Sequence, residues 1–160
     1  MADDLSRLDE WFGRIVAGME PAERRKATLK LGRLLRQANL KRIAANVDPD
    51  GAPFALRKPR RDLRGRLRKG ARGRMFKGLR KTAKWRIDAA ADGVEISPVT
   101  NTADRVGSVS QFGLTVTVGR GRDGRKIRAK YAERRLLGFG REDEDLALQV
   151  AGEMLEAEGV

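Results

Sequence analysis

The chain has 160 residues, a formal net charge of +13 at pH 7, and neither cysteine nor histidine. A chain of this length can form a single domain that needs no disulfide bonds to be stable. The missing residues exclude disulfides, thiolate chemistry, the commonest general base and the commonest metal ligand. The composition therefore predicts a protein that is not an enzyme and that has neither a cofactor nor a bound metal.

No apolar run approaches the roughly 20 residues that a membrane-spanning helix needs. The first residues, MADDLSRLDE, are acidic and lack the apolar region of a secretory signal. We therefore expect a protein that is made and used in the cytoplasm, without membrane contact.

The positive charge is concentrated in residues 57–86, which hold 15 Lys/Arg and one acid. The other 130 residues hold 20 basic and 21 acidic side chains, a net charge of −1. A run of charge is usually solvated, but this excess is larger than solubility requires. It predicts an electrostatic partner for this segment.

Two helices are predicted before residue 47, because apolar side chains recur at three- and four-residue steps in residues 3–19 and again in 21–46. Pro21 suits the first position of the second helix, where its missing N–H has no cost. The short break between them favours an antiparallel helical hairpin.

The next segment, residues 48–51, reads Asp-Pro-Asp-Gly and is typical of a turn. Residues 52–74 are rich in Arg, Gly and Pro, which predicts an extended or mobile basic arm. Met75, Phe76 and Leu79 are expected to form a short helical turn that docks this arm.

Residues 84–131 predict a small antiparallel β-sheet with strands at 84–88, 94–99, 114–118 and 126–131. Residues 105–110 are predicted to extend the same sheet. A last helix is predicted over 141–157, with a strongly acidic first turn. Helices and strands are segregated, so the fold class is α+β. The chain divides into a helical hairpin (1–47), a basic loop or arm (48–83), and a sheet with a C-terminal helix (84–160), within one structural domain.

Several short motifs are better explained as local structure than as sites. The glycine-rich run 119–124 precedes a strand rather than the helix a phosphate loop needs, so we interpret it as a hairpin turn. Residues 48–51 lack the further oxygen ligands of a calcium loop. The acidic run 142–145 is interpreted as the solvated start of a helix rather than a metal cluster. Trp11, Phe12 and Trp85 are predicted to be core or interface residues.

Five short stretches follow one another along the chain in a recognisable order. They read PAERR, LGRLLR and RIA within residues 21–44, DPDGAPF at 48–54 followed by RK, MFKGLR at 75–80, QFG at 111–113, and AERRLLGF at 132–139. Their order, which covers nearly the whole chain, resembles the phage virion morphogenesis, or tail completion, family of contractile-tailed and Mu-like phages and prophages.

The resemblance implies a structural protein that caps the head-proximal end of the tail of a phage or phage-like particle and prepares it for head joining. Such proteins commonly act as rings matched to a sixfold tube. The implied partners are other copies of the chain, tail tube or sheath proteins, and head–tail connector proteins. The implied location is the virion tail, after assembly in the cytoplasm of the host bacterium.

Two groups of residues are expected to make these contacts. The electrostatic docking residues are Arg57, Lys58, Arg60, Arg61, Arg64, Arg66, Arg68, Lys69, Arg72 and Arg74. The oligomer and assembly contacts are assigned to the sheet and in particular to Gln111, Phe112, Arg134, Leu136, Leu137 and Phe139.

A protein that binds nucleic acid non-specifically through residues 57–86 is the alternative, because the charge supports it directly. The sequence contains no helix-turn-helix spacing, zinc ligands or stacking-sheet signature. DNA is therefore a possible contact in both readings.

Overall fold

A computed structural model describes residues 18–57 and 75–157 of the chain. Its elements are helix α1 (Pro21–Ala45), a 3₁₀ turn (Thr82–Lys84), strands β1 (Trp85–Ala89) and β2 (Val94–Pro98), helix α2 (Asn101–Gln111), strands β3 (Thr115–Arg120) and β4 (Lys126–Lys130), and helix α3 (Arg141–Ala157). The predicted α+β class is confirmed. The predicted helix over 3–19, apart from residues 18 and 19, lies outside the described residues, and so do residues 58–74 of the arm predicted over 52–74.

Helix α1 confirms the predicted second helix and ends one residue earlier. Pro21 stands in its first turn, and Asn46 closes it in the left-handed conformation with φ 60°. Its buried face contacts β1, β2 and α3. Gly32 allows a close approach of the β1–β2 hairpin, because a Cβ there would lie 2.5 Å from Cγ2 of Val94.

The strands form two separate antiparallel hairpins, β1–β2 and β3–β4, where the sequence suggested one sheet. Each strand lies within two residues of its predicted bounds. The hairpin-turn interpretation of the glycine-rich run is confirmed, because residues 121–125 connect β3 to β4 and Gly124 has a φ of +75°.

The prediction of a strand over 105–110 is wrong, because these residues belong to helix α2. Thr100 caps the helix by accepting a hydrogen bond from the amide of Ala103 at 3.2 Å. Ala103, Gly107 and Ser110 are buried at helical spacing, and the helix packs on β2. This tertiary contact overrides the strand preference of the valines in the segment.

One hydrophobic core connects these elements. Its buried members are Ile43, Phe54, Met75, Leu79, Trp85, Ala103 and Leu136. Trp85 is a core residue, as predicted, and its indole Nε1 donates a hydrogen bond to the carbonyl of Leu79 at 2.7 Å. Helix α3 has the predicted bounds and packs along α1.

Candidate assembly site

The motifs that are scattered along the sequence meet around this core. Phe54 comes from the DPDGAPF turn, Met75 and Leu79 from MFKGLR, and Leu136 from the AERRLLGF segment. These separate motifs therefore contribute side chains to one packed centre. The same centre also determines where the surrounding exposed residues stand.

Asn46 holds both ends of the predicted arm. Its backbone carbonyl accepts a hydrogen bond from the amide of Phe54 at 2.8 Å, and its side-chain Oδ1 accepts one from the amide of Met75 at 3.3 Å. The rings of Phe54 and Phe76 also meet edge to face, with centroids 5.8 Å apart. The described residues on either side of segment 58–74 are therefore held at the same place on the body.

Of the ten predicted docking residues, Arg57 is described and exposed, and the other nine lie outside the described residues. Residues 75–86 carry the rest of the basic segment, but Met75, Leu79 and Trp85 are buried there. Residues 75–86 of the basic segment are therefore part of the body of the protein.

Arg134 ties the segment before α3 to the first end of the arm. Its guanidinium donates to the carbonyls of Ala55 at 2.7 Å and Leu56 at 3.1 Å, and also to that of Ala132 at 3.3 Å. Burial, followed by repulsion from Arg57, lowers the pKa of Arg134 from its ordinary value. The guanidinium of Arg134 is therefore used to hold the subunit's own backbone.

The turn at 48–51 is also tied to this segment by an ion-pair network. Arg135 pairs with Asp48, at 3.2 Å between Nη2 and Oδ2, and with Asp50. The other oxygen of Asp48 accepts from the amides of Asp50 and Ala52 at 3.0 and 2.9 Å. This geometry confirms the turn interpretation.

The pKa of Asp48 follows from these partners. Burial alone would raise it, but the hydrogen bonds from the Ala52 amide and Arg135 outweigh burial and lower the pKa of Asp48 below its ordinary 3.8. Asp48 therefore stabilises the fold in its ionised form, and that contribution is complete above the unfolded-state pKa.

We expect Asp48→Asn to lower the free energy of unfolding at neutral pH by an amount that shrinks as the pH falls below 3.8. The reason is that a carboxyl with a depressed folded-state pKa loses its stabilising effect as it becomes protonated. Urea unfolding of both proteins across the acidic range measures the difference. Asp92→Asn in the exposed β1–β2 turn is the control, and a difference that stays constant with pH would contradict the expectation.

Gln111 fixes the backbone of the segment that leads to Phe139. Its Oε1 accepts from the amides of Leu136 at 2.7 Å and Leu137 at 3.1 Å, and its Nε2 donates to the carbonyl of Leu137 at 3.0 Å. Leu136 is only 2% exposed and packs into the core. The side chain of Gln111 thus acts here as a strand partner would.

The residues predicted to make assembly contacts therefore divide into two groups. Arg134 and Leu136 are buried, Gln111 is partly buried and bonded to the backbone of Leu136 and Leu137, and the partly buried Leu137 packs against the core. Phe112 and Phe139 are 68% and 74% exposed, and these two rings are available to a neighbouring molecule. That they make such contacts stays a prediction.

Phe139 lies on a segment that is held on both sides. Gly138 donates its amide to Oδ1 of Asn39 at 3.2 Å, and Gly140 donates to Oδ2 of Asp143 at 2.8 Å. A Cβ on Gly138 would lie 2.7 Å from Cγ of Pro49, so the segment can lie this close only because its flanking residues are glycines. The ring is thus presented outward from an ordered backbone.

Asp143 corrects the interpretation of 142–145 as a solvated helix start. It is 1% exposed and accepts from both terminal nitrogens of Arg42 in α1, at 2.6 and 3.2 Å. Its bond to the Gly140 amide also caps helix α3. The three-residue spacing of Gly140 and Asp143 is a sequence signal for the helix cap. No feature of the sequence indicates that Asp143 pairs with Arg42.

In the part of the chain that the structure describes, no three metal-ligating side chains gather into a group that could hold an ion. None of the helices within residues 18–57 and 75–157 combines the length and hydropathy needed to cross a membrane.

Comparison with known proteins matches residues 3–156 to the phage virion morphogenesis family. The chain belongs to this family, which confirms the resemblance seen in its motifs. Among curated proteins, it is similar to tail completion protein S of Escherichia phage P2. The two are 29% identical over 143 residues, which cover 88% of this chain and 90% of the P2 protein. No solved structure matches the chain.

Proposed function

We propose that this chain is a tail completion protein that closes the head-proximal end of a phage tail as a ring and prepares that end for head joining. The observation that carries the proposal is the similarity to the P2 tail completion protein over nearly the whole length of both chains. The protein would then be assembled in the host cytoplasm and remain in the virion tail.

A cap must bind the last subunits of the tail and present a face that further tail subunits cannot use. Head-to-tail contacts between identical subunits achieve this when they close into a ring. Phe112 and Phe139 suit such contacts, because exposed aromatic rings on an ordered backbone can be buried with little loss of conformational entropy. The two-stranded hairpins also offer strand edges to a neighbouring subunit.

The basic arm supports the head-joining part of the proposal, because it can dock on tail, connector or DNA surfaces. Asn46 holds Phe54 and Met75, so along the chain the ten cations lie between two residues that are fixed at one place on the body. Exposed acids at the start of α3, Glu142, Glu144 and Asp145, offer a target on a neighbouring subunit. Docking by such an arm weakens as salt increases.

The test is to add the purified protein to tails that were assembled without it, and to count particles joined to heads by electron microscopy. We expect joining to depend on the protein and to require its ring form. Light scattering of the free protein in low and high salt should give a mass several times the 17.8 kDa of one chain. If the free protein is a monomer, the ring should instead be seen at the tail end by electron microscopy. Efficient joining without the protein would refute the proposal.

A variant with residues 58–74 replaced by Gly/Ser of equal length separates the arm from the cap. It preserves the anchors at Asn46 and removes the charge. Loss of joining with the same oligomeric mass would assign docking to the arm. Unchanged joining and unchanged salt sensitivity would reject it. A monomer that binds DNA and has no effect on tails would favour the nucleic-acid-binding alternative.

A further inference from the structure

The β3–β4 hairpin is a ribbon with one cationic face and one apolar face. Residues that are paired across an antiparallel ladder share a face. Thr117 pairs with Arg128 on one face, and Val116 pairs with Ala129 on the other. Because side chains alternate along a strand, Lys126 and Lys130 lie on the face of Arg128.

A β-bulge brings a fourth cation to this face. The register shifts between Thr117 and Gly119, and Arg120 then pairs directly with Lys126. Without the extra residue, strand alternation would place Arg120 on the apolar face. Like charges directly opposite each other destabilise a hairpin, so this arrangement does not serve the stability of the ribbon itself.

The cationic face points away from the body of the protein. Arg120, Lys126, Arg128 and Lys130 are all exposed, whereas Val116 and Ala129 on the other face are partly buried. Within residues 18–57 and 75–157, none of the four cations forms an ion pair with a carboxylate. The repulsion between them is therefore relieved by solvent or by an anionic partner.

We propose that this face binds the phosphate backbone of double-stranded DNA, by contacts separate from those of the arm. The three cations of β4 span about 13 Å at the usual rise of a strand. Duplex DNA carries about one negative charge per 1.7 Å of its axis, so several phosphates lie within that span. The threonine hydroxyls beside the cations are also common phosphate donors.

The observations favour a polyanion over a second copy of the chain. The same face on a second copy carries the same four cations and is repelled, whereas DNA is attracted. The acidic residues at the start of α3 are a smaller and more localised target. The apolar face of the ribbon, with Val118 and Ile127 half exposed at its far end, remains available for subunit contacts.

The test compares DNA binding by the full chain and by a triple variant, K126Q/R128Q/K130Q. Fluorescence anisotropy with a short duplex of mixed sequence gives the binding constant as a function of salt. Losing three phosphate contacts should reduce the slope of log K against log[salt] by about 2.7. The loss of affinity between about 50 and 200 mM salt should accordingly be about 40-fold smaller than for the natural chain.

The matched control, K26Q/R33Q/K41Q, removes the same charge from exposed positions on α1. It should leave most of the slope intact. The hairpin variant should also unfold at an equal or higher temperature, because removing Lys126 relieves its repulsion with Arg120. This measurement shows that lost binding is not lost folding.

Equal slopes for the two triple variants would overturn the proposal, because the binding would then depend on net charge alone. Polyglutamate that binds the natural chain with at least the salt slope of DNA, and loses as much of that slope in the hairpin variant, would also overturn it, in favour of an acidic protein partner. Neither measurement requires a ring or a tail, so each outcome is independent of the cap.

Discussion

Replacing Arg42 with methionine is expected to lower the free energy of unfolding by about 3–5 kcal/mol, because it leaves a buried carboxylate without its cation. The guanidinium of Arg42 donates two hydrogen bonds to Asp143, at 2.6 and 3.2 Å. The Asp143 side chain is 0% exposed and that of Arg42 is 13% exposed. Urea unfolding of the full chain, followed by circular dichroism, measures the change.

The size of the effect comes from the loss of one partner rather than from the net strength of the pair. After the substitution, the Gly140 amide is the one remaining donor to Asp143 among the described residues. The double variant R42M/D143N removes the charge as well, since an asparagine oxygen can still accept from Gly140. We expect it to recover most of the stability lost in R42M.

A second ion pair between the same two helices provides the control. Lys30 of α1 pairs with Glu153 of α3, but their side chains are 50% and 40% exposed. Water and salt screen such a pair, so Lys30→Met should change the stability by only a small fraction of the Arg42 effect. Comparable losses for the two substitutions would mean that burial of Asp143 does not determine the cost.

The local elements could be predicted from the sequence where one periodicity dominated. Helices α1 and α3 follow the recurrence of apolar residues, and the turns follow their Asp, Asn and Gly residues. Helix α2 could not, because Val106 and Val109 favour strands while the Thr100 cap and the contact with β2 favour a helix. Tertiary packing decided that segment.

The candidate site was predictable as a region but not residue by residue. The sequence placed the assembly contacts near Gln111 and Leu136, and the structure shows that both are used inside the subunit. Nothing in the sequence distinguishes them from the exposed Phe139. The pairing of Arg42 with Asp143 spans 101 residues and depends on how α1 and α3 pack.

Phe139→Ser is expected to prevent joining of heads to tails while leaving the isolated protein stable. The ring is 74% exposed, so its removal should change the free energy of unfolding by no more than about 0.5 kcal/mol. If it fills a pocket on a neighbouring subunit, its loss should weaken that contact by about 2 kcal/mol or more, roughly 30-fold. Light scattering and the tail-joining assay measure the two effects.

Leu148→Ser is the matched control, because Leu148 is 69% exposed and apolar but belongs to helix α3 rather than to the segment held by Gln111. A general loss of surface hydrophobicity would affect both variants equally. A specific contact would affect Phe139→Ser alone, and Phe112→Ser should behave like it if both rings belong to one interface. Normal joining by Phe139→Ser would remove this ring from the subunit contact and leave Phe112 and the hairpins as its remaining basis.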